Sequence, residues 1–430
     1  MKTSAYNYII DKGEWSYWYN GFTHTSFKLP LLIGTKLKDA MAFPNEIKKT
    51  SPVFYDKLRI NGFLIDDTFD EIEAIRSAYD EAVKKKDYFL VILPTLNCNF
   101  KCWYCVQDHI KSRMSDEMIE KVKTHLEYMI NVEKIESLHL EWFGGEPLMY
   151  FKKVISPICQ FALDLCTQKR IPFYSSATTN GYFLTESILS EVEKFKFEMF
   201  HITLDGPKEQ HDKVKYQDGC ESAFERTLLN IENALTKIDR LRIRLRINYT
   251  NSNLSQCLVN EINEIISPSN RGKITVSLKK VWQEKAEEGL FVIKEEVLNS
   301  FKKSGYKVVL LDATTNYMSC YTNKIYYNAI NYNGNIIKCT ACNIFNEDDT
   351  IGILNNDGSI NCNEKHLDKF RRKTFENKKC LACKYLPICM GPCAHNYSGE
   401  DSMVRCKLDG NDINLETSIV NYIDAGYECI

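Results

Sequence analysis

Three cysteines fall within eight positions of the stretch LNCNFKCWYCVQDH (96–109): Cys98, Cys102 and Cys105, directly after the strand-forming run YFLVILPT. CxxxCxxC spacing on a loop lets three thiolates converge on one iron-sulfur cluster and leaves the fourth iron without a protein ligand, open to a substrate or cofactor. A zinc site or scattered buried thiols are the other uses of such a set. A second series lies toward the C-terminus: Cys320, then Gly334 and Cys339, then Cys380, Cys383, Cys389, Cys393 and Cys406, a C…Gx4C…Cx2Cx5Cx3C…C pattern. Sulfur-only tetrahedral sites suit iron or zinc. Cys159 and Cys166, seven apart on a helical pattern, read as core.

The elements that position these thiols alternate. From about residue 88 to 281, YFLVILPT, SLHLEWF, IPFYSSATTN, EMFHITLD, LRIRLRIN and KITVSLKKVW read as strands separated by helical stretches. Parallel strands with crossover helices, closed or partly closed as a barrel, are expected, with the chemistry at the C-terminal ends of the strands. In RLRIRLRIN, Arg240, Arg242, Arg244 and Arg246 share one face by period two. A doubly buried strand would be apolar throughout, so the basic face reads either as the lining of a wet cavity or anionic ligand, or as a solvated edge.

Before the barrel, residues 1–88 form a small unit: YNYIID, WSYWYNG and TSFKLP as strands, then two helical segments, the second capped by Asp70. Residues 283–311 bridge to a section, 312–430, whose thin core calls for staples. Lysine plus arginine (55) nearly cancel aspartate plus glutamate (57), for a net charge of -2. No basic field points to nucleic acid or a membrane surface. No signal-like or membrane-length apolar run stands out, so a cytoplasmic protein is expected. There, seventeen cysteines serve ligation, catalysis or burial rather than disulfides.

The cysteine spacing, with Tyr104 as the aromatic before the third, resembles the radical S-adenosylmethionine (SAM) superfamily. Further matches follow in order: GGEP at Gly144, Gly145, Glu146 and Pro147, TNG ending at Gly181 with Asn180, and HITLDGP with Thr203 and Asp205. The resemblance covers about residues 89–280. It implies an α/β fold, a partial (β/α)6 TIM-like barrel over 89–282, with one 4Fe-4S cluster on Cys98, Cys102 and Cys105. SAM would lie at the strand ends, its methionine amino group on the GGEP backbone and its carboxylate and ribose near Arg246 and Asn248, an RxN-like pair. Where the family shows HDxxR this chain has His211, Asp212 and Lys215; lysine cannot make a bidentate contact.

The later cysteines resemble the SPASM extension of such enzymes, over about 312–410. That implies two auxiliary 4Fe-4S clusters, three in all: one on Cys380, Cys383, Cys389 and Cys406, the other with three corners on Cys320, Cys339 and Cys393, and Cys342 as a candidate fourth. The N-terminal unit loosely resembles the winged-helix type of leader-recognition module. Together these resemblances imply a maturase that uses a 5'-deoxyadenosyl radical to install a thioether or carbon-carbon crosslink in a ribosomally made precursor peptide, leader and core, with flavodoxin or ferredoxin as electron donor. An anaerobic sulfatase-maturating, formylglycine-generating enzyme is the alternative, weakened because Thr340 rather than aspartate follows Cys339. A non-catalytic, zinc-stapled peptide-binding protein is the reading from another class.

Overall fold

The computed structural model describes residues 1–281, 283–284, 289–309, 320–341, 349–368, 370, 374–391 and 415–424. Cys342, Cys393 and Cys406 lie outside the described residues. The chain divides into two compact units: Met1–Lys85 with described residues of 320–325 and 370–424, and Lys86–Val309 with Tyr326–Asp368. The stretch 312–430, expected as one domain, contributes to both.

In the first unit, β1 (Lys2–Thr3) pairs with β5 (Leu64–Ile65), while β2 (Asn7–Lys12), β3 (Trp15–Asn20) and β4 (Ser26–Pro30) form an antiparallel sheet in that order. The aromatic residues of β3 explain its two faces. Trp18 points one way, onto Phe27, Phe63, Leu37 and Leu58; Tyr17 and Tyr19 point the other, with Tyr8, onto helix Leu415–Asp424 through Ile419, Val420 and Ile423. Period-two alternation thus gives a short sheet two apolar contacts. Asp70 caps helix Glu71–Lys84 by accepting from the Ile72 and Glu73 N–H groups, as the sequence predicts. Both ends of the chain build this unit: Tyr8 Oη donates to the Lys384 carbonyl at 2.7 Å.

The second unit is built on one sheet. Its strands are β6 (Asp87–Ile92), β7 (Ser137–Trp142), β8 (Phe173–Thr179), β9 (Phe197–Leu204), β10 (Arg242–Tyr249), β11 (Ile274–Lys280), β12 (Lys307–Val308), β13 (Tyr327–Ile330), β14 (Asn335–Ile337), β15 (Thr350–Leu354) and β16 (Ile360–Cys362). The spatial order is β12-β11-β10-β9-β8-β7-β6-β13-β14-β15-β16. Strands β6 to β11 lie side by side in chain order and all run parallel, with crossover helices such as Asp116–Asn131, Ser156–Lys169, Glu186–Lys194 and Ala223–Lys237 between them. This is the expected partial six-stranded barrel, open rather than closed: β6 takes β13 as its second neighbour and β11 takes β12.

The bridging stretch 283–311 holds helix Leu290–Lys303 and β12, which extends the parallel sheet. Cys159 and Cys166 are buried in the core. Among the described residues no helix is long and apolar enough to cross a membrane.

The solvated-edge reading of the arginine strand is overturned, because β10 is hydrogen-bonded on both sides. Arg240 also leaves the pattern. It precedes the strand and donates to the Glu193 carbonyl. The arginine face therefore comprises Arg242, Arg244 and Arg246, in a strand where Arg242 and Arg244 are exposed and Ile243, Leu245 and Ile247 are buried.

Candidate functional site

The loop after β6 carries Cys98, Cys102 and Cys105, of which the third is the most exposed. Its shape is fixed from below. Thr95 Oγ1 accepts from the Asn97 N–H at 2.9 Å, and Cys98 Sγ accepts from the Phe100 N–H at 3.4 Å. It is also gripped by the turn after β7. Gly144 and Gly145 both have positive φ, +88° and +50°, and a Cβ on Gly145 would meet the Asn97 carbonyl oxygen at 2.2 Å. Glycine is required there by contact as well as by backbone conformation. The Glu146 N–H completes the grip on the Asn97 carbonyl at 2.9 Å.

Glu146 uses its carboxylate within the protein. Oε1 accepts from Leu148 N–H and the Thr179 hydroxyl at 2.9 and 2.7 Å, and Oε2 accepts from the Asn180 N–H at 2.8 Å. It is a strut from the end of β7 to the end of β8. Burial pushes its carboxyl up to about 6, against those three hydrogen bonds. Asn180 reaches on to the cysteine loop: its Nδ2 donates to Asn99 Oδ1 at 2.8 Å and lies 3.9 Å from Cys98 Sγ.

A second cluster gathers at the ends of β9 and β10. Tyr104 donates to Asp205 Oδ1, and Asn248 Nδ2 donates to Tyr104 Oη at 3.0 Å and to Asp205 Oδ1 at 3.2 Å. Arg246 Nε donates to Asn248 Oδ1 at 2.9 Å. Lys215 lies 3.2 Å from Asp205 Oδ2 and donates to Thr203 Oγ1 at 2.8 Å. Thr203, Asp205, Arg246 and Asn248, four motif residues from two strands, are thus brought together with the Tyr104 of the cysteine loop.

In the protein alone, burial raises the thiols of Cys98, to about 12, and of Cys102 and Cys105; for Cys98 the next contribution is the Glu146 carboxylate. Among the described residues no three His, Cys, Asp or Glu side chains converge tightly enough to share a single metal ion. Three thiols on one loop, pinned by a turn that admits no Cβ, fit an iron-sulfur cluster with one open corner.

Of the later cysteines, Cys380, Cys383 and Cys389 lie together in the first unit, on the short helices Lys378–Leu381 and Leu386–Cys389 and the turn joining them. The Cys383 N–H donates to the Cys380 carbonyl, and Cys383 Sγ accepts from the Tyr385 N–H at 3.4 Å. Cys320 opens a 3-10 turn in the same unit, whereas Cys339 is buried in the second, after β14.

Three participants escaped the sequence reading. Gln107 Oε1 accepts from the Gly145 N–H at 2.9 Å, Asn99 Nδ2 donates to Gln217 Oε1 at 2.7 Å, and Gln283 Nε2 donates to the Tyr104 carbonyl at 2.9 Å. A fourth, Glu141, had a signal: polar His139 and Glu141 alternate with leucines in a strand expected to be apolar on both faces.

Residues 92–247 match the model of the Radical SAM superfamily. Among solved structures, native anSMEcpe with bound AdoMet and Cp18Cys peptide is similar at TM-score 0.56 and 17% identity, over 78% of this chain and 96% of that one. Native anSMEcpe with bound AdoMet alone gives TM-score 0.56 at 17% identity, over 78% and 97%. Streptococcus suis SuiB bound to precursor peptide SuiA covers 94% of this chain and 98% of its own at 15% identity and TM-score 0.49. No curated protein matches the chain.

Proposed function

We propose that this chain, whose residues 92–247 match the Radical SAM superfamily, is a radical SAM enzyme that matures a ribosomally synthesised peptide by hydrogen abstraction and formation of a thioether or carbon-carbon crosslink. The observation that carries the peptide reading is the sheet β2-β3-β4. Strands β2 and β4 each pair only with β3 among the described residues, so their outer ladders can take an extended leader as an added strand. The fold likeness to anSMEcpe, solved with AdoMet and a peptide, supports the same substrate class.

A 4Fe-4S cluster on Cys98, Cys102 and Cys105, with SAM on its open corner, supplies when bound a carbon-centred radical able to take hydrogen from an unactivated position. The chain's own residues do the positioning. Gly144 and Gly145 offer backbone to the methionine end, and the Arg246 and Asn248 pair stands where a carboxylate and ribose would be held. Tyr104, Asp205 and Lys215 fix Asn248 in advance, which spares its ordering when the cofactor arrives. Cys380, Cys383 and Cys389, with Cys406, are the proposed ligands of one auxiliary cluster, and the chain is proposed to hold a second auxiliary cluster as well. Flavodoxin or ferredoxin would deliver the electron, in the cytoplasm.

The test is anaerobic incubation of the purified protein with SAM and a one-electron reductant. Formation of 5'-deoxyadenosine is expected, together with about twelve irons per chain for three cubanes; a precursor peptide co-expressed with the enzyme should lose two hydrogens in mass. Iron-free protein that makes no 5'-deoxyadenosine would sink the reading.

A further inference from the structure

One face of the parallel sheet carries polar side chains that the cofactor site does not use. In strand register Glu141 stands beside Ser176, Thr178 beside His201, and His201 beside Arg244. The alternate positions, such as Ala177, Ile202 and Leu245, are buried. Helix Ser156–Lys169 packs on that other side, Cys159 Sγ lying 3.8 Å from Ser175 Oγ. The polar row therefore faces away from the crossover helix. Because β10 is paired on both flanks, the exposure of Arg244 reflects open volume over the sheet.

Most polar groups on this face are engaged. Glu141 accepts from the Ser176 hydroxyl and, at 2.8 Å, from Thr178 Oγ1; His139 Nε2 lies 2.6 Å from Ser176 Oγ. The side chains of Arg244 and His201 differ: among the described residues neither makes a hydrogen bond or a close ion pair, although the charge of Arg244 acts on both Glu141 and His201. Burial, followed by the charge of Arg244, holds the His201 imidazole down at about 4, so it is neutral at pH 7. The row's one carboxyl, Glu141, is committed to hydroxyls, and burial pushes it up to about 7. A guanidinium with five unused donors beside a neutral imidazole, with Glu141 already accepting from two hydroxyls, suits a further planar anionic partner.

We infer that Arg244, with His201 beside it, recognises a carboxylate side chain of the substrate. The inference rests on the peptide reading above and specifies it: the peptide carries an acidic residue near the one that reacts. Arg244 precedes Asn248 by four positions, about 13 Å along the strand at ~3.3 Å per residue. The acidic side chain is therefore held about that far from the Asn248 end of the strand.

The probe is N-acetylglutamate α-amide, with N-acetylglutamine α-amide and inorganic phosphate as comparators. The full-length, cluster-loaded protein is treated anaerobically with phenylglyoxal, and modification of each arginine is followed by peptide mass mapping, with exposed Arg59 as internal control. At about four times its Kd, the glutamate amide should slow modification of Arg244 roughly fivefold and leave Arg59 unaffected, while the glutamine amide does neither. Equal protection by both amides, or by neither, overturns the inference; stronger protection by phosphate overturns it in favour of a phosphoryl ligand. Turnover does not enter the readout. Failure of the peptide reading would show separately, as 5'-deoxyadenosine formed without any change in peptide mass.

Discussion

Lys215 and Asp205 form a buried ion pair, Nζ to Oδ2 at 3.2 Å, with side chains only 2% and 3% exposed. Burial alone would raise the Asp205 carboxyl; Lys215 above all, then His211, holds it below the ordinary carboxylate value. A lysine where the HDxxR resemblance implies arginine thus makes a point-charge contact rather than a forked one, and its partner Asp205 in turn accepts from Asn248.

Replacing Lys215 by methionine strands a buried carboxylate, which costs about 3–5 kcal/mol. Urea denaturation should show that loss, and the double variant Lys215→Met/Asp205→Asn should recover most of it. A single variant within about 1 kcal/mol of the parent, roughly fivefold in the folding equilibrium, would show that the pair contributes nothing beyond packing.

Gly145→Ala places a methyl group against the Asn97 carbonyl, where 2.2 Å is available. The cysteine loop has to move, so iron at that loop should be lost while the rest is kept. Iron analysis with electron paramagnetic resonance is the check: the signal perturbed by SAM should vanish. Unchanged iron and an unchanged signal would mean that the turn does not set the loop.

Glu141 titrates at about 7 in the fold, raised by burial from 4.5. The folded protein keeps this proton between roughly pH 4.5 and 7 where the unfolded chain has lost it, so this group's contribution to stability declines as pH rises through that window. Glu141→Gln removes the ionisation. From pH 5 to pH 8 the variant should gain on the parent by on the order of 3 kcal/mol, at ~1.4 kcal/mol for each tenfold difference in proton affinity between fold and unfolded chain. Parallel pH profiles for the two proteins would show that Glu141 does not titrate in this window.

Alanine at Cys380, Cys383 and Cys389 together should lower iron by about four atoms per chain, one cubane, and leave the SAM-sensitive signal. Zinc leaving in place of iron would make this end of the chain a structural staple.

The strands were legible because parallel, helix-covered strands announce themselves as apolar runs at regular intervals, and the motif residues because each sits at a strand exit. Period two put Arg246 on the basic face of β10, and its RxN-like spacing to Asn248 marked the pair. What the sequence could not disclose was long-range pairing. Nothing local in YNAI (327–330) says that it will lie beside β6, and nothing in LETSIVNYID says that it will cover the tyrosines of β2 and β3. Glu146 was legible as a motif residue, but its strut role depends on Thr179 and Asn180, which only the register brings within reach.

The pairing of β6 with β13 also sets a timetable. Tyr327 pairs with Phe89, 238 residues earlier (327 − 89). At the 5–20 residues per second of translation, the strand that leads into the cysteine loop waits roughly 12–48 s for its second neighbour. Through that interval a row of backbone donors and acceptors is open to any passing strand. Folding of the nascent chain on the ribosome, rather than cofactor supply alone, can therefore limit the yield of active protein, and slower synthesis lengthens the exposure.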